Sequence, residues 1–284
     1  MTSAKNQNPN GLMDENKITN KCKLINLEKA AIPQPPFWGS RLLKLPLDDV
    51  MPYINKKALY RLSWGAKNAR GEKWDKLSRD FDLRYEKMTT NLKTSPWLDL
   101  QVLYGYWPAQ ASGNSLIIYS AENINHTLPQ EIARFDFPRQ SSNTGLCLAD
   151  YYTSTASGIM DVAAFQVVSV GKRAVEYTNH LYETSDLSEA YFSHGLAVSL
   201  TEALAEYAHA LIRRELGVPL NQGKRFSWGY PALPDLSQHA TLFGFLPAQQ
   251  ELGMTLTSGF QMNPELSTAA IIVHHPRAAY FTMR

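Results

Sequence analysis

Apolar positions along the chain fall into two long helical patterns separated by short runs of strand character. From about Glu72 to Thr94, Trp74, Leu77, Phe81, Tyr85 and Met88 recur at spacings of three and four, the period of one helix face. From about Ser188 to Leu216, Leu196, Leu200, Leu204, Tyr207 and Leu211 keep the same period. Gly217 and Pro219 supply the stop. Shorter helices are expected after Leu47 and after Asp235. Six β-rich runs are bounded by Gly, Pro or Asn: 100–107, 114–120, 132–137, 162–170, 254–260 and 269–275. Strands before and after a long helix, without strict alternation, predict an α+β fold with a largely antiparallel sheet.

The first 30 residues lack large apolar groups in number and are rich in Asn, Lys, Ser and Asp, so they read as a flexible polar tail. The character changes at Ile32, where Pro33, Pro35 and Pro36 stiffen the chain ahead of Phe37 and Trp38. No long linker or internal repeat follows, and residues 31–284 read as a single domain. A formal charge of +2 on 284 residues argues for neither nucleic acid nor an anionic membrane surface. No apolar run approaches the roughly 20 residues that span a bilayer, and no secretory signal opens the chain. The expected location is cytoplasmic. Cys22 and Cys147 cannot by themselves build a disulfide framework or a zinc cage.

The sequence has no GxxxxGK[ST], GxSxG, HExxH or CxxC, and no glycine-rich dinucleotide fingerprint after a strand. Glu202 and Glu206 share a face of the second helix, and Glu206 and His209 have the Glu-x-x-His spacing of di-iron bundles. No second Glu-x-x-His accompanies them, so a hydrogen-bonded or solvated helix face is expected and no metal. His274 and His275, if on a strand, point to opposite faces; one packed and one exposed histidine are expected. The segment 223–232 is the most unusual. It reads as a loop in which Gly229 permits a conformation closed to other residues, aromatic groups offer flat faces, and Arg225 presents a fork of donors. Such a loop suits a planar, anionic small molecule, and equally an aromatic-rich packed turn.

The motif RFSWGYPALPD (225–235) resembles the Arg-x-x-x-Gly-Tyr-Pro loop of the activation domain of cobalamin-dependent methionine synthase. PPFWGSR (35–41), YGYWPA (104–109), FDFPRQ (135–140), CLADYY (147–152), 194–217 and 257–281 resemble that family's segments in the same order, so the resemblance covers roughly Ile32 to Phe281. It implies a C-shaped α+β domain with a bent antiparallel sheet and flanking helices, binding S-adenosylmethionine in a shallow groove. It implies docking over a cobalamin-binding domain, so that cob(II)alamin, once reduced by a flavodoxin-type donor, takes the methyl group.

By the same resemblance Arg225 clamps the ligand's carboxylate, Ser227 contributes backbone contacts, and Gly229 and Tyr230 match the Gly-Tyr pair, with Tyr230 near the corrin face. Glu202 matches a helix glutamate that meets the ligand's ammonium group; Tyr280 matches a C-terminal tyrosine of the ligand site, and Phe281 stands where relatives carry a second one. Pro33 stands where some members place a ligand-binding Asp, so either another segment supplies that acceptor or the affinity is lower. No acid, base or covalent nucleophile is required, because methyl transfer from a sulfonium rests on orientation and exclusion of water.

The chain carries no Asp-x-His-x-x-Gly cobalamin motif, no homocysteine-side zinc cysteines and no length for a folate barrel. It therefore reads as a subunit acting in trans or as a segment of a longer synthase, Met1 and the polar tail favouring the former. A non-catalytic S-adenosylmethionine-binding or docking module, and an activator of a different corrinoid methyltransferase, are the alternatives.

Overall fold

The computed structural model describes residues 30–122, 129–140, 145–184 and 186–281. The expected tail and Cys22 lie outside the described residues, apart from Ala30. The described chain runs β1 (Gly39–Lys44), α1 (Leu47–Val50), α2 (Lys56–Ala58), α3 (Gly71–Thr94), β2 (Gln101–Ser112), β3 (Ser115–Tyr119) and β4 (Glu131–Asp136). There follow β5 (Asp161–Ser169), α4 (Lys172–Glu183), α5 (Leu187–Glu215), β6 (Lys224–Ser227), α6 (Gln238–Phe245), α7 (Ala248–Leu252), β7 (Thr255–Leu256), β8 (Met262–Asn263) and β9 (Ser267–Val273).

Seven strands form one sheet in the order β4-β3-β2-β5-β9-β6, with β1 along the first half of the β2 edge that β3 occupies further on. Every ladder is antiparallel, and β7 and β8 make a separate hairpin. The sheet is covered on both faces. On one, Tyr104, Tyr106, Ala164, Val168 and Ile272 pack with α3 and α5 through Phe81, Tyr85, Leu196, Leu200 and Leu204. On the other, Leu103, Trp107, Phe165, Val167 and Ile271 pack with Phe135, Leu242 and Leu246. Burial on both sides is why β5 reads as a near-continuous apolar run rather than an alternating one.

Helix α5 is the element that positions the site. Its Asp186 cap accepts from the Glu189 amide at 3.1 Å, and Gly217 ends it at φ 65°. Fourteen of its side chains are buried, many of them Ala, Ser or Gly, so neighbouring elements approach closely. At Gly195 a Cβ would stand 2.8 Å from the Trp64 ring. Two polar ties fix the helix across the sheet. Gln166 Nε2 on β5 donates to the Ala205 carbonyl at 3.1 Å. The Tyr104 and Tyr106 hydroxyls on β2 donate to the Glu215 carboxylate at 3.0 and 2.7 Å.

The structure departs from the sequence reading in several places. The strand expected at 100–107 continues to Ser112, since Pro108 falls in the interval where the neighbour on one edge changes from β1 to β3. Of 254–260 only Thr255–Leu256 is strand, because the Thr257 amide bonds to the Gln261 carbonyl and turns the chain into β8. Strand β1 and helix α4 were not anticipated, and Lys224–Ser227 is a strand rather than a loop. His274 and His275 are both buried, at 2% and 4% exposure. They follow β9 rather than continue it, so strand alternation does not apply. The His274 ring bonds to Asp161 at 2.8 Å, while the His275 ring packs on Tyr151 and accepts the Arg277 amide.

Gly105 allows the close pairing of β1 with β2, opposite Ser40. A Cβ there would lie 1.9 Å from the Gly39 carbonyl oxygen, with backbone atoms of Ser40 also in the way. Gly105→Ala is expected to lower unfolding free energy by about 2–3 kcal/mol in urea denaturation. Gly244→Ala, in α6 with nothing within 4 Å of its Cβ, is the matched control and is expected to stabilise by about 0.5–1 kcal/mol.

Candidate functional site

Strand β6 forms one edge of the sheet. Arg225 and Ser227 lie opposite Ile272 and Ala270 of β9, on the α5 face, while Phe226 lies opposite Ile271 and faces the other core. This alternation places the Arg225 guanidinium against one side of α5, where Glu202 and Glu206 are one turn apart. Arg225 Nη2 meets Glu202 Oε2 and Glu206 Oε1, each at 3.0 Å, and Nε donates to Glu206 Oε1 at 3.2 Å. Its remaining Nη1 reaches, among the described residues, the Ser227 hydroxyl at 3.4 Å. The Arg225 side chain is 11% exposed, against 44% for Glu206 and 60% for Glu202. Burial opposes the charge on Arg225, but the two carboxylates outweigh it and raise its affinity for the proton.

After β6 the chain turns sharply. Gly229 takes φ 85°, its amide bonds to the Leu233 carbonyl at 2.7 Å, and the Leu233 amide returns to Tyr230 at 2.8 Å. Positive φ is the physical demand for glycine here. The turn pushes Tyr230 outward, 65% exposed, while Trp228 stays buried and bonds through Nε1 to Gln238. The C-terminal segment returns beside β6, where the Tyr280 and Phe281 rings contact Phe226 at centroid distances of 5.5 and 6.0 Å.

These pieces enclose a half-open groove of about 330 Å³, within the range of roughly 300–1,000 Å³ usual for small-molecule sites. Glu202 and Arg225 line its charged end; Trp228, Tyr230, Tyr280 and Phe281 give aromatic walls, and Ser227 and Thr268 give hydroxyls. Six of the residues singled out from sequence, Glu202, Arg225, Ser227, Tyr230, Tyr280 and Phe281, thus come together. Gly229 shapes the turn without lining the groove, and Pro33 is not one of the lining residues.

Sequence reasoning missed the part Glu206 plays, although its four-residue spacing from Glu202 was the available signal. Thr268 carried no local signal; β9 brings it in through sheet register. Among the described residues, no group of three or more His, Cys, Asp or Glu side chains is arranged to hold a metal. None of the described helices is long and apolar enough to cross a membrane.

A family model described as vitamin B12 dependent methionine synthase, activation domain, matches residues 47–284. The chain is 33% identical over 281 residues to methionine synthase of Mycobacterium tuberculosis (strain ATCC 25618 / H37Rv), covering 89% of this chain and 23% of that protein. To methionine synthase of Mycobacterium leprae (strain TN) it is 32% identical over 286 residues, with the same two coverages of 89% and 23%. The chain therefore spans about a quarter of the length of these curated relatives. Among solved structures, that of the MetH reactivation domain bound to AdoHcy has a TM-score of 0.78 at 23% identity, covering 89% of this chain and 83% of that one; the likeness bears on the fold.

The electrostatics of the groove give a pH signature. His209 and then Arg225 hold the Glu206 carboxyl at about 2, below its ordinary 4.5, against the opposing effect of burial. A depressed carboxylate contributes stability that is full above its unfolded pKa and lost as pH falls through the folded one. Glu206→Gln is therefore expected to be less stable than the parent above about pH 5. The gap in denaturant midpoint should close progressively between roughly pH 4.5 and pH 2. A gap constant across that range would show that Glu206 is not held ionised by the fold.

Proposed function

The chain belongs to the vitamin B12 dependent methionine synthase activation-domain family, and on that footing we propose that it binds S-adenosylmethionine in the Arg225 groove. Its role is then to support reductive remethylation of cob(II)alamin on a cobalamin-dependent methionine synthase, in trans or as part of a longer chain. The observation that carries this reading is the buried Arg225 guanidinium, set at the charged end of an aromatic-walled groove beside Glu202.

The site has the right complement of groups for such a ligand. A zwitterionic amino acid end needs a cation and an anion side by side, which Arg225 and Glu202 provide. A planar adenine needs apolar walls, available from Tyr280 and Phe281. The ligand's sulfonium already carries a good leaving group, so this chain needs no acid or base. Reduced cobalamin carried by the partner would supply the nucleophile, with a flavodoxin-type protein as the electron donor. What these residues contribute is placement: Arg225 and Glu202 fix one end of the ligand, and the aromatic walls exclude water from the other. Tyr230 stands outward on its tight turn, which supports a role for it in meeting the partner's macrocycle.

Arg225→Ala is expected to weaken S-adenosylmethionine binding by about 1.5–3 kcal/mol in isothermal titration, the loss of a charge-assisted contact. Unchanged affinity would remove the site from this groove. Tyr230→Ala is expected to leave that affinity within about twofold, since an exposed ring adds little to binding, yet to slow methylation of the partner's cobalamin followed by absorbance. Parallel losses in both assays would move Tyr230 from the partner-facing surface into the ligand pocket.

A further inference from the structure

Arg225 is held by two carboxylates where one suffices to neutralise it, and the two are not equivalent. Glu206 Oε1 takes the side edge of the guanidinium, receiving both Nε and Nη2 at 3.2 and 3.0 Å. Glu202, the more exposed of the pair, touches only Nη2. The end edge, Nη1 with Nη2, is consequently engaged by Glu202 and by a long 3.4 Å contact to Ser227. That edge is the one a ligand carboxylate would take in a two-point contact.

Behind Glu206 stands His209, one turn further along α5. Its side chain is 5% exposed, and among the described residues neither ring nitrogen has a partner at ordinary hydrogen-bond distance. Nδ1 lies 3.7 Å from the second Glu206 oxygen, just beyond bonding distance. At that distance the imidazole still favours the ionised form of Glu206. The nearby charged groups are Glu206 on its own helix, Arg213 one turn on, and Arg225 from β6.

We propose that Glu206, backed by His209, is the fixed anchor of Arg225, whereas Glu202 is an exchangeable partner that leaves the guanidinium for the ligand's ammonium group. This rests on the groove being the S-adenosylmethionine site. In the free protein Glu202 guards the end edge of Arg225. An incoming amino acid end replaces it there with its own carboxylate and offers Glu202 an ammonium in return, so both charges stay paired throughout. A ligand with the carboxylate alone must displace Glu202 without compensation, which makes the pair a selector for the complete α-amino acid group. Glu206 is thus a positioning residue, acting on the ligand through Arg225.

The two glutamates separate on a deaminated analogue of S-adenosylmethionine, which keeps the carboxylate and lacks the ammonium. In isothermal titration of the full chain, Glu202→Gln is expected to bind this analogue about threefold or more tighter than the parent, because a competitor has been removed. Glu206→Gln is expected to bind both analogue and S-adenosylmethionine about tenfold weaker. That loss should vanish when Arg225 is already Ala, as a role exercised through Arg225 requires. Without ligand, the Arg225 Nε–H nitrogen resonance should lose its hydrogen-bonded shift in Glu206→Gln and keep it in Glu202→Gln. If Glu206→Gln fails to fold, Glu206→Asp, which retracts the carboxylate by one methylene, carries the same comparisons.

Equal weakening of the analogue by both variants, a Glu206 effect that persists beside Arg225→Ala, or an Nε–H resonance indifferent to Glu206 would each overturn the assignment while leaving the groove as the ligand site. Absence of S-adenosylmethionine binding by the parent chain at millimolar ligand would instead overturn the groove reading, and the exchange with it. The Nε–H comparison would then decide the anchor by itself.

Discussion

A guanidinium withdrawn from water on the last strand of a sheet is the constraint around which this structure is arranged. Arg225 is nearly buried at the edge of the sheet, and a buried charge is tolerated only where partners replace its hydration. Carboxylates must therefore stand on the same face as Arg225, within hydrogen-bonding reach of an edge strand. The α5 face supplies them at the four-residue spacing that brings both to one side of the helix. For that to happen α5 has to cross the sheet at a fixed height and rotation. The tie from Gln166 to the Ala205 backbone lies beside Glu206, and the ties from Tyr104 and Tyr106 hold the helix end at Glu215. Small residues along the buried side of α5 then allow the approach.

The groove follows from where the sheet stops. Strand β6 is only four residues long, and the chain leaves it through the positive-φ turn at Gly229. Beyond the edge, the space that a further strand would fill is bounded by the turn on one side and by Tyr280 and Phe281 on the other. The backbone on both sides is tied to the core through Phe226 and Trp228, which are buried on the face opposite Arg225. Alternation along one short strand thus sends an aromatic anchor into one core and a charged clamp into the site. The fold and the site share a single local cause.

Much of this was legible in the sequence, for physical reasons that differ between elements. Helices α3 and α5 are long enough for their period to stand out from chance, and β5 announces itself because burial on both faces removes polar residues from it. The short elements were not legible. Lys224–Ser227 carries one apolar residue between polar ones, a pattern too brief to distinguish strand from loop until β9 pairs with it. Strand β1 likewise owes its existence to β2 and to the absence of a side chain at Gly105. The burial of both His274 and His275 depends on Asp161 and Tyr151, more than a hundred residues earlier in the chain. At the site, the residue types were readable and their pairing was not. The resemblance assigns Glu202 to the ligand and the spacing assigns Glu206 to a helix face; the structure adds that both meet Arg225.

The division between fixed and exposed groups also bears on how a site without acid–base machinery can serve the proposed role. Arg225 is clamped, and its clamp is tied to the sheet, so the end of a ligand held there inherits the rigidity of the core. Glu202, Tyr230 and Tyr280, by contrast, stand in solvent along the rim. A deep, closed pocket would orient a ligand equally well but would bar the large, partner-borne acceptor that the proposed methyl transfer requires. A shallow groove with one rigid end meets both demands, since orientation needs only enough fixed contacts to define a line of approach. Exclusion of water, which a closed pocket would provide alone, then has to be completed by the partner's own surface. On this reading the apolar rings on the rim are groups whose covering comes only with docking, and their exposure in the isolated chain is a consequence of the division of labour between the two surfaces.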